Sequence, residues 1–178
     1  MNLSKHISAK FQLWSEEFNQ TSPLLDKELV HKYLTENVFV ARVDSLGVEQ
    51  PDSFISQLAF DATHSFFFEH PLDHVPGLML IEAGRQVIVA ISHLFLGVPY
   101  GKTFVVNKLS TEFKTFAELD QPVFSISTVR NKRYLHGDLY EFQSEGNFIQ
   151  NGQSIGFMNG TATIFDKSEY QQLRNLSV

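Results

Sequence analysis

The longest apolar stretch of the chain lies near its centre, between Pro76 and Pro99. From Pro76 onward, roughly twenty residues are apolar on nearly every helical face, which is typical of a helix buried all round. Proline suits the first turn of a helix because its missing N–H would have no partner there, and Gly97 followed by Pro99 is a stop signal. The pattern therefore predicts one long core helix from about Pro76 to Leu96.

Polar side chains interrupt this apolar helix along one line. At about 100° per residue, Glu82, Gln86 and His93 fall within roughly 40° of one another. A carboxylate is costly to bury alone, so Glu82 requires a partner, a water-filled pocket or a raised pKa. The length of the segment also suits a membrane span. Arg85 adds a further charge and the segment has no basic flank, so we expect no insertion into a membrane.

Most of the remaining chain has the pattern of β-strands. Two β-rich segments precede the helix and four follow it, with no second long helical pattern. Asn151-Gly152 is the strongest turn signal because both residues tolerate the positive φ of a type I′ hairpin. A further turn is predicted from Asn131 to Arg133. The predicted strands cover about residues 36–46, 53–60, 103–116, 121–131, 137–148 and 153–166.

Weaker helical signals lie towards the two ends of the chain. Residues 1–20 are polar with three spaced aromatic side chains, Phe11, Trp14 and Phe18. This spacing predicts either an amphipathic turn or two packed on a neighbour, or a tail. Asp26 is suited to cap a short helix, KELVHKYL, and Asp166 with Glu169 forms a capping box for a final helical turn. The first residues, MNLSKHISAKFQLW, lack the apolar run of a signal peptide, so we expect a cytoplasmic protein.

The order of two strands, one buried helix and four strands has a physical solution. A strongly curved antiparallel sheet wraps around the single apolar helix, an α+β architecture known as the hotdog fold. We expect residues 1–30 to form an N-terminal extension and residues 31–178 a single hotdog domain. One such sheet leaves an open edge, which pairing of two copies would protect. The predicted assembly is therefore a homodimer with sites at its interface.

Composition narrows the function classes. At 178 residues the chain has the length of one ordinary domain with a real core. Its formal net charge of -6 and lack of a basic face give no reason to expect nucleic acid or anionic lipid as a partner. The 17 phenylalanines suit a large apolar interior or a pocket for an apolar ligand. The sequence has no cysteine, which excludes disulfides, thiolate metal sites and cysteine nucleophiles.

Three segments carry a resemblance to a known family. They read HSFFFEHPLDHVPGLMLIEAGRQ, HLFLGVPYGKTFVVNKL and VHKYLTENVFVARV, and together they cover roughly residues 30–130. This part of the chain resembles the hotdog domain of the A-factor biosynthesis family, whose members carry a DHVPG-like loop followed by a Leu-rich LLEAxRQ helix. More distantly, it resembles the β-hydroxyacyl-carrier-protein dehydratases, in which a loop histidine and a helix carboxylate act together.

The resemblance implies chemistry on acyl thioesters, without a cofactor. Family members with A-factor activity transfer a β-ketoacyl group from an acyl carrier protein to the hydroxyl of dihydroxyacetone phosphate. Those members resemble a tandem of two hotdog units, whereas this chain has one. An acyltransferase is therefore the first hypothesis. A thioesterase or a β-hydroxyacyl dehydratase using the same site is the second, and a non-catalytic module that binds acyl groups is the third.

The candidate chemistry centres on the start of the long helix. The amides around Gly77 to Met79, with Gly77 and Leu78 first, lie at the positive end of the helix dipole, where a thioester oxygen could accept their hydrogen bonds. Glu82 is a candidate general base if burial raises its pKa towards neutrality. His74 or His70, from the same chain or its partner, could move the proton or orient the substrate. The alternative for each histidine is a loop residue that hydrogen-bonds to backbone.

Other residues are weaker candidates for substrate contacts. Arg85 and Gln86 lie beside Glu82, although Arg85 could simply neutralise that carboxylate. Asn107 follows the helix in a strand and could face the pocket or pair with backbone. His93 is expected to be a core residue whose hydrogen bonds are satisfied.

Two clusters complete the candidates. Three cations in a predicted turn could meet a phosphopantetheine or a carrier protein, or be only solvated: Arg130, Lys132 and Arg133. His70, Asp73 and His74 suggest a metal by residue type, but their spacing matches no established zinc pattern. We therefore predict no metal site.

Overall fold

The computed structural model describes residues 5–17 and 23–176. Three α-helices and six β-strands make up this part of the chain. In chain order they are α1 (Lys5–Glu16), β1 (Val40–Ser45), β2 (Ser53–Leu58), α2 (Gly77–Phe95), β3 (Thr103–Phe113), β4 (Val123–Leu135), β5 (Asp138–Gln150), β6 (Gln153–Phe165) and α3 (Lys167–Leu176).

The six strands form one antiparallel sheet in the order β1-β2-β4-β5-β6-β3. Helix α2 packs against the inner face of this sheet, where its side chains join those of the strands in the main hydrophobic core. The predicted hotdog fold is confirmed. Its two edges are β1 and β3, and β3 borders the cavity described below.

The predicted core helix is also confirmed, with Pro76 as its N-cap and Leu96 as its C-cap. It is long and apolar enough to cross a membrane, but 61% of the stretch that meets this test is buried within the fold. The expectation of burial all round is wrong for the single chain, because the sheet covers only one side. Leu78 and Phe95 remain 66% and 40% exposed.

Strand β3 is an edge strand with exposed apolar side chains. Val106, Leu109 and Phe113 are 43–49% exposed, although strands usually protect an open edge with charges or bulges. A β-bulge between Val106 and Lys108 interrupts its pairing with β6 at Asn107. Among the described residues, no strand pairs with the outer edge of β3.

The predicted turn from Asn131 to Arg133 is wrong. This segment is an irregularity inside β4, where the pairing with β5 shifts between Arg130 and Arg133 and Asn131 adopts a φ of 49°. The chain reverses later, at His136 and Gly137, whose φ angles are 52° and 95°. Asparagine tolerates a left-handed conformation in a bulge as well as in a turn, so its presence alone did not distinguish the two. The hairpin predicted at Asn151-Gly152 is confirmed, with φ angles of 51° and 73°.

The short helix predicted after Asp26 is also wrong. The backbone N–H of Glu28 does donate to Asp26 Oδ1 at 2.8 Å, as a capping aspartate requires. The chain then makes only successive turns, because His31 adopts a left-handed φ of 56°. This conformation directs the chain towards β1 and sets the next residue, Lys32, beside α2.

The helices near the two ends of the described chain form where the spacing and capping signals indicated. Trp14 of α1 is buried in a second apolar cluster with Ile55 and Phe124 on the outer face of the sheet, while Phe18 lies outside the described residues. At the other end, the backbone N–H of Asp166 donates to Glu169 Oε2 at 3.1 Å at the start of α3. The boundary between an extension and a domain at residue 30 stays a prediction.

Candidate active site

An apolar cavity of about 190 Å³ lies between α2 and the strands β3, β5 and β6. We call it the central cavity. Its apolar walls include Ile81, Ile88 and Val89 from the helix and Phe104, Leu109 and Met158 from the sheet. Glu82 and Arg85 are the charged residues among those that line it. The high phenylalanine content had suggested such a pocket. However, Phe104 is the single phenylalanine among the residues that line this cavity.

Glu82 is held by donor groups from three residues. The Nε and Nη2 atoms of Arg85 donate to its two carboxylate oxygens at 2.8 and 2.7 Å. Lys32 Nζ lies 2.8 Å from Oε1, and Gln86 Nε2 donates to the same atom at 3.0 Å. The predicted partner of the buried carboxylate is therefore present. Glu82 forms the ion pair with Arg85 that the alternative interpretation of Arg85 expected, and Lys32 adds a second cation.

This environment sets the protonation state of Glu82. Burial acts to raise its pKa, but the hydrogen bonds and charge of Arg85, then the hydrogen bonds of Lys32 and Gln86, outweigh burial and lower the pKa to about 2. The expectation that burial raises this pKa towards neutrality is wrong, because both cations favour the charged form. Glu82 is ionised at neutral pH and is a weak base there.

Gln86 connects the helix to the start of β1. It is fully buried, its Nε2 donates to Asn37 O at 2.7 Å and to Glu82, and its Oε1 accepts from the backbone N–H of Phe39 at 2.8 Å. Both N–H groups of its amide are thus used within the protein. These contacts assign Gln86 to anchoring α2, and a contact with substrate stays only a prediction.

Arg85 retains donors that the protein does not use. Its Nη2 also donates to Val30 O at 3.3 Å, while within residues 5–17 and 23–176 no protein atom accepts a hydrogen bond from its Nη1. The side chain lines the central cavity. Arg85 can therefore offer two N–H groups to an anionic ligand without breaking its pair with Glu82.

A second cavity, of about 330 Å³, lies at the N-terminus of α2. We call it the N-terminal cavity. It is lined by His74, Gly77, Phe113 and Phe116, among others. His74 Nδ1 lies 2.7 Å from Asp73 Oδ1, and the His74 ring contacts that of Phe116 with a centroid distance of 4.7 Å. Because a carboxylate only accepts hydrogen bonds, Nδ1 carries a proton, and the Nε2 of a neutral His74 is left as an acceptor.

The structure does not bring the predicted catalytic residues into one cavity. His74 lines the N-terminal cavity and Glu82 the central cavity. His70 is exposed and makes no hydrogen bond or ring contact in the part of the chain that the structure describes. The prediction that His70, Asp73 and His74 form no metal site was based on their spacing, and it stays a prediction.

The start of α2 has the features expected of a donor site. No described residue accepts a hydrogen bond from the backbone N–H groups of Gly77 and Leu78, whereas the Met79 N–H donates to Pro76 O at 2.9 Å. A Cβ on Gly77 would lie 2.9 Å from Phe113 Cε2. Glycine therefore suits this position, because the Phe113 ring of β3 approaches the first turn of the helix and a Cβ would have to displace that ring.

The remaining candidates already have protein partners. Asn107 Nδ2 donates to Thr163 Oγ1 at 2.6 Å beside the β3 bulge, and Asn107 does not line the central cavity. The three cations near the β4 irregularity each pair with a carboxylate: Arg130 with Glu145, Lys132 with Asp52 and Arg133 with Glu141. Their contact with a carrier protein stays a prediction, with fewer free charges than the sequence suggested.

Sequence reasoning missed Lys32 and its neighbour His31. His31 Nε2 lies 2.9 Å from His93 Nε2, and His93 Nδ1 lies 2.8 Å from Val98 O, so the hydrogen bonds of His93 are satisfied as expected. Burial, followed by the charges of His93 and Arg85, lowers the pKa of His31. No local pattern marks Lys32, because its pairing with Glu82 depends on the irregular path from residue 26 to β1.

Comparison with known proteins places this geometry in a family context. The family model described as the A-factor biosynthesis hotdog domain matches residues 14–166. A 2-oxo-3-(phosphooxy)propyl 3-oxoalkanoate synthase from Streptomyces virginiae is 34% identical over 93 residues, which is 52% of this chain and 27% of that protein. The protein of the same name from Streptomyces coelicolor is 35% identical over 74 residues, which is 42% of this chain and 21% of that protein. The matches thus span about a quarter of these relatives.

Solved structures with low sequence identity share the fold. A phenylacetic acid degradation-related protein from Ralstonia eutropha has a TM-score of 0.51 at 15% identity, covering 68% of this chain and 83% of that one. A thioesterase from Haemophilus influenzae also has a TM-score of 0.51, at 12% identity, covering 70% of this chain and 78% of that one. These likenesses concern the arrangement of helix and sheet.

Proposed function

Since the chain belongs to the A-factor biosynthesis hotdog domain family, we propose that it binds an acyl thioester and transfers a β-ketoacyl group to a small hydroxyl acceptor such as dihydroxyacetone phosphate. The family match across residues 14–166 is the observation that carries this proposal. The names of the two Streptomyces relatives support it, because they describe an ester of a 3-oxoalkanoate with a phosphooxy-bearing alcohol. An acyl carrier protein is the proposed donor of the thioester.

The central cavity is the proposed site of the acyl chain. Its walls are mostly apolar and lie between α2 and the sheet, and each buried methylene contributes up to about 0.8 kcal/mol to binding. The charged pair of Glu82 and Arg85 at its wall then faces the polar part of the substrate. This arrangement favours a ligand with a long apolar tail and an anionic or hydroxyl-bearing end.

Arg85 and Lys32 are the proposed anion site. Together with Glu82 they carry a net positive charge, and the two unused N–H groups of Arg85 Nη1 can donate to phosphate oxygens. The low pKa of Glu82 supports a role as an ionised carboxylate. In that role it accepts a hydrogen bond from the hydroxyl of the acceptor substrate, which orients that hydroxyl, and it keeps both cations in place. In this proposal Glu82 does not carry the proton away.

His74 is the proposed base, because its Nε2 is available as an acceptor. The acceptor hydroxyl gives its proton to His74 Nε2 as its oxygen forms a bond to the thioester carbonyl carbon. The amides of Gly77 and Leu78 donate to the carbonyl oxygen as it becomes negative. The C–S bond then breaks, and the leaving thiolate takes the proton from His74. Electrons and protons balance without a cofactor, and His70 is left as a second candidate for the proton transfer.

We further propose that two copies form a homodimer through β3. The exposed apolar side chains and unpaired backbone of this strand support the pairing. Antiparallel pairing sets the early part of one β3 against the late part of the other. The central cavity beside Phe104 would then face the N-terminal cavity beside Phe113 of the second copy, so that one site combines Glu82 and His74 from two chains.

Light scattering at micromolar concentration measures this assembly. We expect a mass of twice 20.3 kDa, because an apolar edge strand of this length is unfavourable in water. A monomer at this concentration would contradict the dimer and the shared site. The single-chain geometry would then have to bring His74 to the substrate by itself.

The activity itself is tested with β-ketoacyl thioesters of carrier protein or coenzyme A, with and without dihydroxyacetone phosphate. The proposal expects a phosphate ester that forms only with the acceptor present. Release of free acid at the same rate without acceptor would indicate a thioesterase, and an enoyl product from a β-hydroxyacyl thioester would indicate a dehydratase. Binding without turnover would leave an acyl-binding module.

We expect His74→Ala to lower the single-turnover rate by about 100-fold or more, because it removes the proposed base. Thermal unfolding should change little, since the side chain is partly exposed. His136→Asn is the matched control, because His136 lies in the β4–β5 turn with a positive φ that asparagine tolerates. Normal turnover in His74→Ala together with a large loss in His70→Ala would move the role to His70.

A further inference from the structure

Helix α2 contains a glycine at a buried position in its middle, Gly84. Glycine weakens a helix interior, so its presence there needs a packing reason. A Cβ on Gly84 would lie 2.4 Å from Met158 Cε, 3.1 Å from Met158 Sδ and 3.1 Å from Phe148 Cζ. The end of the Met158 side chain therefore occupies the space that any larger residue at position 84 would need.

Met158 also forms part of the central cavity wall. It lies on β6, is 6% exposed, and pairs in register with Gly146 on β5. Its neighbours on the inner face of the adjacent strands include the small residues Gly146, Ser125 and Ser127, beside the larger Phe148. A Cβ on Gly146 would lie 3.6 Å from the hydroxyls of Ser125 and Ser127. Met158 thus lies between the cavity and a part of the sheet whose side chains at these three positions are short.

We propose that Met158, seated on Gly84, sets the maximum length of the acyl chain that the central cavity accepts. This inference rests on the proposed function and adds a residue that determines specificity. Methionine suits the role because its unbranched side chain can fill an irregular gap and can change rotamer when a neighbouring residue becomes larger. The terminal methyl groups of the longest accepted chains end against the Met158 thioether.

The proposal predicts opposite shifts from two substitutions. Met158→Ala removes three heavy atoms, which makes room for roughly two or three methylene groups, each worth about fourfold in affinity when buried. The preferred acyl chain becomes longer by about two carbons. Gly84→Ala pushes the end of Met158 away from the helix and into the cavity, so the preferred chain becomes shorter. In the double variant Gly84→Ala has no Met158 side chain to displace, so the preference stays close to that of Met158→Ala, shortened at most by the one added methyl group.

The experiment uses calorimetry to measure the binding of saturated acyl-pantetheine thioesters with four to sixteen carbons to the 178-residue chain. A range of about tenfold in affinity is sufficient to rank the chain lengths. Met79→Ala is the matched control. Met79 is fully buried in the same core and is not among the residues that line the central cavity. It should lose stability as Met158→Ala does, yet keep the wild-type preference for chain length.

The possible results distinguish a failure of the proposed function from a failure of the role of Met158. Wild-type affinity that does not depend on chain length overturns the acyl cavity and the proposed function with it. A wild-type preference that is unchanged in Met158→Ala and in Gly84→Ala overturns the role of Met158 alone. If Met158→Ala does not fold, Met158→Leu conserves volume with a shorter reach and is expected to lengthen the preferred chain by about one carbon.

Discussion

Replacing Gln86 by methionine is expected to lower the free energy of unfolding by about 2–4 kcal/mol. The two side chains have similar size and shape, so the change removes hydrogen bonds and leaves little cavity. It leaves the Phe39 N–H and the Asn37 carbonyl without the partners that the Gln86 amide supplies, and it removes one donor from Glu82. Urea denaturation at pH 7 measures the loss.

The chain offers a matched control in Gln57 on β2. Gln57 is also fully buried, but neither its Nε2 nor its Oε1 has a hydrogen-bond partner in the described structure. Gln57→Met removes a buried amide that is not satisfied, so it should leave the free energy of unfolding unchanged or raise it by about 1–2 kcal/mol. Equal destabilisation by the two substitutions would contradict the distinction, since it would mean that both amides are satisfied to the same degree.

Glu82→Gln is expected to cost about 2–3 kcal/mol of stability at pH 7, once the shift in pKa is discounted for a side chain that is not fully buried. The pKa of Glu82 falls from 4.5 to about 2 on folding. A lowered pKa contributes stability that is fully present above the unfolded value. The contribution is lost as the pH falls from about 4.5 towards 2.

The difference between wild type and Glu82→Gln should therefore shrink as the pH falls through this window. Denaturation curves at pH 7, 4.5 and 3 measure it. Glu145→Gln serves as the control, because Glu145 pairs with Arg130 at a site where its side chain is 45% exposed, and such surface pairs contribute about 0–1 kcal/mol. A Glu82→Gln difference that stays constant with pH would show that the loss arises from packing and not from charge.

The main elements of the fold could be predicted because local patterns determine them. The apolar run and its Pro76 and Gly97 signals set α2 within a residue or so, and Asn151-Gly152 set the last hairpin. Asn131 misled the prediction because asparagine is equally suited to a turn and to a bulge. His31 ended a helix that the sequence favours, since one left-handed residue is enough to redirect the chain.

The site was only partly predictable for a different reason. The need for a partner at Glu82 follows from the cost of burying a charge, and Arg85 was the available candidate one turn away. Lys32 comes from an irregular segment, and its approach depends on the conformation of His31. The pKa of Glu82 is lowered by Arg85 first and then by Lys32 and Gln86, so part of the effect comes from a residue that the local pattern does not mark. Sequence alone supplied the carboxylate but not the balance of charges around it.

The strand order has a consequence for how the molecule reaches this structure. Strands β4, β5 and β6 follow one another through tight turns at His136-Gly137 and Asn151-Gly152, so their pairing closes only short loops. Strand β3 precedes all three in sequence but pairs with the far side of β6, with Thr103 opposite Phe165. We expect contacts between residues so far apart in sequence to form late, because closing the long loop between them costs conformational entropy before the contacts can stabilise the chain. The wall that β3 provides is then among the last parts to assemble, and the groove for a ligand exists only in the fully folded chain.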